Sequence, residues 1–229
     1  MTFIKDIQNC SLLLALNITG LSCQFTVSEY SDNLYLKLKI ICPPTIASAV
    51  HKRKAEYLVG RYLSKILLAN KNLPSQVEIG NHRQPIWPMQ WIGSITHTHN
   101  RAVSCLASKE DISLLGIDLE NWLDENSANR IKAEVISKEE LSVLTGNMPY
   151  RHAVTLAFSA KESFFKASYP LVKKYFDFHC VKFTNIHFSS GTFKFRVTVN
   201  LSEKIFSGQT FSGVFKFYEH GVFTAVFKR

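Results

Sequence analysis

The spacing of apolar residues switches between two periods along this chain, and that switching restricts the fold more than any other feature. From about Ala47 to Ala69, Leu58, Tyr62 and Ile66 recur every fourth residue, with Leu63 and Leu67 widening the stripe. This is the pattern of a helix with one buried face, and Pro74 follows it as a breaker. A second strong helix is expected from about His152 to Ser168, ended by Pro170. Shorter helices are expected near Arg130–Val135 and Lys138–Thr145, the latter with Ser137 as N-cap and Glu140 three residues on. Period-two runs surround them. Leu34, Leu36, Leu38 and Ile40 alternate with Tyr35, Lys37 and Lys39 before Pro43-Pro44 closes a region of short strands. Trp91–Ala107 reads as loop and then strand, and Leu114–Glu120 as a strand. Phe193, Phe195, Val197 and Val199 alternate with Lys194, Arg196 and Thr198, and Glu219-His220-Gly221 separates two strands as a hairpin turn would. The order is strands, helix, strands, helices, strands. The expected class is α+β, with long helices set against largely antiparallel sheet.

The chain has 229 residues, room for one large domain or two small ones. Its 17 Phe, 8 Tyr and 3 Trp against 10 Gly and 7 Pro exclude a disordered or collagenous chain. Net charge is +9, which favours anionic partners: phosphate ligands, nucleic acid, acidic proteins or membrane surfaces. Apolar stretches such as Leu12–Leu16 fall short of the roughly 18 residues a membrane span needs. Asp6 spoils a basic leader, and Gly20-Leu21-Ser22 before Cys23 is a poor processing site, so export is not expected. Five scattered cysteines without a CxxC pair read as reduced, mostly buried thiols of a cytoplasmic protein.

Four segments carry residues suited to chemistry. In Gly116-Ile117-Asp118-Leu119-Glu120, a strand projects Asp118 and Glu120 from one face and sends Ile117 and Leu119 to the core. Two carboxylates side by side repel unless a cation lies between them, and hard oxygens suit magnesium. The plainer alternative is a solvated strand end. In Phe158–Ala167, Glu162 and Lys166 are helical i,i+4 neighbours with Lys161 beside them; they read as a third carboxylate with two phosphate-facing lysines, or as a surface ion pair. In Lys52–Arg61, Arg53 and Arg61 lie eight residues apart, about 80° around a helix and roughly 12 Å along it, within reach of one elongated anion. Gly60 in mid-helix points to close approach of a ligand or backbone, against the alternative of a solvated basic face. Arg83-Gln84-Pro85-Ile86-Trp87-Pro88 and Gly93-Ser94-Ile95-Thr96-His97-Thr98 offer a rigid turn with donors for a phosphate. Position alone does not separate His97 from His99. Gly-rich phosphate loops, GxSxG, HExxH and Cys/His clusters are absent from the sequence.

Taken in order, Arg53–Arg61, Arg83–Pro88, Gly93–Thr98, Gly116–Glu120 and Phe158–Ala167 resemble the 4′-phosphopantetheinyl transferases of secondary metabolism, closest to the enterobactin synthase component D branch. These segments span roughly the middle half of the chain. The resemblance implies two similar helix-plus-antiparallel-sheet halves related by a pseudo-twofold, residues 1–110 and 111–229, with coenzyme A in the cleft between them. It implies transfer of phosphopantetheine from coenzyme A to a serine of an apo acyl or peptidyl carrier protein, releasing adenosine 3′,5′-bisphosphate. Asp118, Glu120 and Glu162 match the magnesium ligands, Arg53 and Arg61 the coenzyme A phosphate contacts, and His97 with Thr96 the nucleotide-end motif. Lys161 and Lys166 match the lysines beside the pyrophosphate. Glu162 is the implied base, directly or through a water on the metal, and Lys166 stabilises charge at the reacting phosphate. Thr96 and Thr98 stand where serines are commoner, Phe158 where many members have Trp, and Gln84 where many have Lys, with Arg83 as its substitute. A monomer is expected, with no nucleic acid partner and no transmembrane segment. A basic nucleic-acid-binding protein gives no reason for Asp118, Glu120 and Glu162 to converge, and an intact acidic trio argues against a silent carrier-binding relative.

Overall fold

The computed structural model describes residues 3–74 and 76–229, in two compact units, residues 1–111 and 112–229. In the first, the order is β1 (Ile4–Asn9), α1 (Ser11–Leu14), β2 (Thr19–Phe25), α2 (Asn33–Leu38), α3 (Pro44–Ala47), α4 (His51–Ala69), β3 (Glu78–Ile79), β4 (Pro85–Ile86), β5 (Trp91–His97) and β6 (Arg101–Ser108). Strands β1, β2, β6 and β5 form an antiparallel sheet in that order. Helix α4 lies across its middle, burying Leu58, Leu63 and Leu67 from the expected stripe, while Tyr62 and Ile66 sit at the edge of the core.

The expected strand over Leu34–Ile40 is a correction. Its first part is the helix α2, which buries Leu34, Tyr35 and Leu38 and leaves Leu36 78% exposed. Over so short a run, positions 34 and 38 share a face under either period, and Tyr35 beside Leu34 completes a helical stripe. Lys39 ends the helix in the left-handed conformation (φ 53°), and the Ile40 amide donates back to the Tyr35 carbonyl at 2.9 Å.

The second unit contains β7 (Leu114–Asn121), α5 (Glu125–Val135), α6 (Lys138–Thr145), α7 (Tyr150–Val172), β8 (Val181–His187), β9 (Thr192–Val197), β10 (Thr210–Tyr218) and β11 (Gly221–Lys228). The sheet order is β7-β11-β10-β9-β8, every pairing antiparallel. Alternation in β9 buries Phe193, Phe195 and Val197 as expected, and Glu219-His220 is the turn between β10 and β11. Ser137 and Glu140 form the expected capping box. Pro170 does not end α7. It sits in the last turn, where its ring costs one i−4 hydrogen bond, and the helix closes at Lys173 (φ 55°), whose amide reaches the Tyr169 carbonyl.

Helix α7 packs on β7 and β11 through small residues. Its Ser159 and Ser163 hydroxyls meet the Thr224 hydroxyl at 3.0 and 2.6 Å, all three fully buried. A Cβ at Gly116 would stand 2.0 Å from the Ser163 carbonyl oxygen, so only glycine lets α7 approach β7 this closely. Among the described residues no helix is long and apolar enough to cross a membrane.

Candidate active site

Strand β7 is covered on both faces, so Asp118 is 3% exposed and Glu120 partly enclosed. The solvated strand end is thereby excluded. Thr224 pairs with Asp118 in the ladder while its hydroxyl pins α7, and this fixes α7 over the carboxylates. One turn beyond Glu162, the Lys166 ammonium reaches Asp118 Oδ1 at 2.6 Å. Glu120 hydrogen bonds Asp118, and burial with the Asp118 charge pushes the Glu120 carboxyl up to about 8. Burial also raises Glu162, against the pull of Lys166. Burial disfavours the Lys166 charge, but Asp118 and Glu162 outweigh it and hold the ammonium above its ordinary range. The three carboxylates and Lys166 therefore share one electrostatic neighbourhood.

Among the described residues no group of three or more His, Cys, Asp and Glu side chains is gathered closely enough to hold a metal ion. Magnesium, however, usually takes one or two carboxylates and leaves its other positions to water and phosphate. The hydrogen-bonded Asp118 and Glu120 supply such a pair, in surroundings that want positive charge. The donor chemistry fits.

A second cluster lies in the first unit. A Cβ at Gly60 would approach Ile95 Cγ2 to 2.7 Å, so what comes close there is a side chain of β5, neither the backbone nor the ligand expected from the sequence. Ile95 and His97 share the face of β5 toward α4, and His97 Nε2 lies 3.1 Å from Arg53 Nη1. Arg61 is 5% exposed, its guanidinium over the Tyr57 ring and its Nη2 donating to the Glu78 carbonyl at 3.4 Å. Its Nε and Nη1 have no partner among the described residues, a costly state for a buried cation without an anion.

Three expected residues lie apart from these clusters. Thr96 is buried on the face of β5 opposite His97. Arg83 is exposed, in the left-handed region (φ 66°) between β3 and β4. Lys161 is 1% exposed, with its ammonium 3.1 Å from Glu140 Oε1, and Glu140 also accepts from the Phe183 amide. That geometry replaces the expected phosphate-facing lysine with an internal ion pair joining α6 to α7. Side chains one position apart on a helix diverge by about 100°, which is why Lys161 and Glu162 do not face one ligand. Two residues escaped the sequence reading. Glu140 was legible only as a cap, because its partner is 21 residues away. Glu56 sits three residues after Arg53, a spacing that signals contact, and is nearly enclosed beside Arg53 and His97.

One α+β unit holds the Asp118–Glu120 pair with Lys166, and the other a cluster of Arg53, Arg61 and His97. Residues 43–107 match the 4′-phosphopantetheinyl transferase N-terminal domain, and residues 114–221 match the 4′-phosphopantetheinyl transferase superfamily. Enterobactin synthase component D of Salmonella typhi is 35% identical over 123 residues, covering 53% of this chain and 51% of the relative. That of Escherichia coli K12 is 36% identical over 144 residues, covering 61% of this chain and 68% of the relative. The 4′-phosphopantetheinyl transferase PptT of Mycobacterium tuberculosis is 28% identical over 173 residues, covering 74% and 73%. The chain belongs to the 4′-phosphopantetheinyl transferase superfamily, on the side of the enterobactin synthase component D branch. The match spans about half the length of the Salmonella relatives.

Proposed function

We propose that this protein transfers 4′-phosphopantetheine from coenzyme A to a serine of an apo acyl or peptidyl carrier protein or domain, serving siderophore, other nonribosomal peptide or polyketide synthesis. The observation that carries the reading is the pairing of buried Asp118 with partly enclosed Glu120, with Glu162 and Lys166 brought over them by α7. Asp118, Glu120 and Glu162 are the residues that would hold magnesium. Bound there, the ion supplies Lewis acidity to the pyrophosphate of coenzyme A.

Glu162, whose carboxyl burial raises above its ordinary range, takes the proton of the carrier serine directly or through a water. The serine oxygen bonds to the phosphorus that bears pantetheine, and the bridging oxygen leaves with adenosine 3′,5′-bisphosphate. Lys166 holds positive charge at the reacting phosphate, a role that requires it to exchange Asp118 for phosphate oxygen. Arg53, Arg61 and His97 hold the nucleotide phosphates. The two unpartnered nitrogens of Arg61 are the strongest support for an anion there. Arg83 reaches the same ligand from the β3–β4 turn, whereas Lys161 and Thr96 serve the fold. Free cysteines throughout support a reducing compartment, the cytoplasm. We read the protein as a monomer.

Asp118→Ala is expected to abolish transfer while the thermal unfolding transition persists, and chelator is expected to do the same to the wild type. Full transfer in excess chelator would refute the metal assignment.

A further inference from the structure

Glu56 stands where a carboxylate is least expected, inside the basic cluster assigned to phosphate. Its Oε2 lies 3.8 Å from Arg53 Nη1 and 3.8 Å from His97 Nδ1, and its Oε1 lies 3.9 Å from Lys52 Nζ. The residue is 8% exposed, and of its partners His97 is the most enclosed, whereas Arg53 and Lys52 reach solvent. Arg53 Nη1 meets the other ring nitrogen of His97, Nε2, at 3.1 Å. A guanidinium has donors only, so Nε2 is the acceptor, and the proton of the neutral ring sits on Nδ1, the side facing Glu56. Arginine, imidazole and carboxylate thus close a triangle, with the carboxylate drawing on both other members.

We infer that Glu56 is a positioning residue that, with His97 held between them, orients Arg53 so that the remaining guanidinium donors face one phosphate group. The inference rests on the nucleotide-binding role proposed above for Arg53 and His97. It has a consequence opposite in sign to simple electrostatics. Removing a negative charge beside an anion site tightens binding if charge is all that matters. If Glu56 positions the arginine and the ring, its removal weakens binding, because both groups are then free to turn away.

Two measurements on the full chain decide it. In protein labelled with 15N-histidine, a long-range proton–nitrogen correlation near neutral pH, assigned with His97→Gln, is expected to show His97 protonated at Nδ1 and bare at Nε2. A proton on Nε2 would overturn the inference, and this readout needs no variant at Glu56. In transfer assays, Glu56→Leu is expected to raise KM for coenzyme A about tenfold, as the ion-pair contacts that hold Arg53 and His97 are lost, with kcat changing far less. Glu56→Gln, which keeps an acceptor oxygen, is expected to recover part of that loss. An unchanged or lowered KM for Glu56→Leu, while Arg53→Ala still raises it, would refute positioning and leave the transferase reading standing. A wild type that transfers nothing would refute the transferase reading, and the His97 tautomer would still decide the geometry of Glu56.

Discussion

Glu120 keeps its proton in the fold up to about pH 8, whereas in the unfolded chain it gives the proton up near the ordinary value of 4.5. The unfolded state is therefore favoured progressively as pH rises through that window, and the metal-free protein loses stability from about pH 4.5 to 8. Glu120→Gln removes the penalty. At pH 8 without metal it is expected to stabilise by about 1 kcal/mol or more, a rise in Tm of roughly 2–4 °C per kcal/mol, and to do nothing near pH 4. A Tm that falls at pH 8 would show that the charge is already compensated. Lys161 gives the opposite case. Lys161→Ala leaves Glu140 charged and buried without its partner, so a loss of about 3–5 kcal/mol is expected in denaturant unfolding. A normally stable variant with only a raised KM for coenzyme A would return Lys161 to the phosphate site. Nothing within residues 158–167 separates these two lysines. Lys166 gains its role from Asp118, 48 residues away, and Lys161 from Glu140, 21 residues away.

At the scale of elements, legibility followed the length of the periodic segment. Helix α4 was readable because a four-residue spacing sustained over several turns admits no second interpretation, and α7, expected from His152 to Ser168, runs Tyr150–Val172. Over Leu34–Leu38 the same apolar residues satisfy both periods, and burial of Tyr35 decided for helix. The carboxylates Asp118 and Glu120 were readable as a pair because strand alternation is strict. That α7 covers them was not, since the covering depends on Gly116, where a side chain would collide with the Ser163 and Ala167 backbone. Gly116→Ala is expected to push α7 away from β7, costing about 1–3 kcal/mol in stability and lowering transfer by more than stability accounts for. Wild-type transfer and stability in that variant would show that the helix does not need this contact to place Lys166.

The whole chain carries +9, while Asp118 is buried and Glu120 and Glu162 are partly enclosed. Acidic carriers are expected to be drawn to the basic surface, with attraction screened over about 8 Å at physiological salt. With coenzyme A saturating, the second-order rate for carrier is expected to fall as salt rises, and turnover at saturating carrier to change less. A flat dependence would assign the positive surplus to the cofactor site alone. The central claim is the transfer itself, and intact-mass measurement tests it most directly. A panel of apo-carrier proteins incubated with the protein, coenzyme A and magnesium is expected to include members that gain one phosphopantetheine on serine, matched mole for mole by adenosine 3′,5′-bisphosphate. Both products are expected to vanish with Asp118→Ala. Carriers of unchanged mass across the panel, with coenzyme A recovered intact, would contradict it.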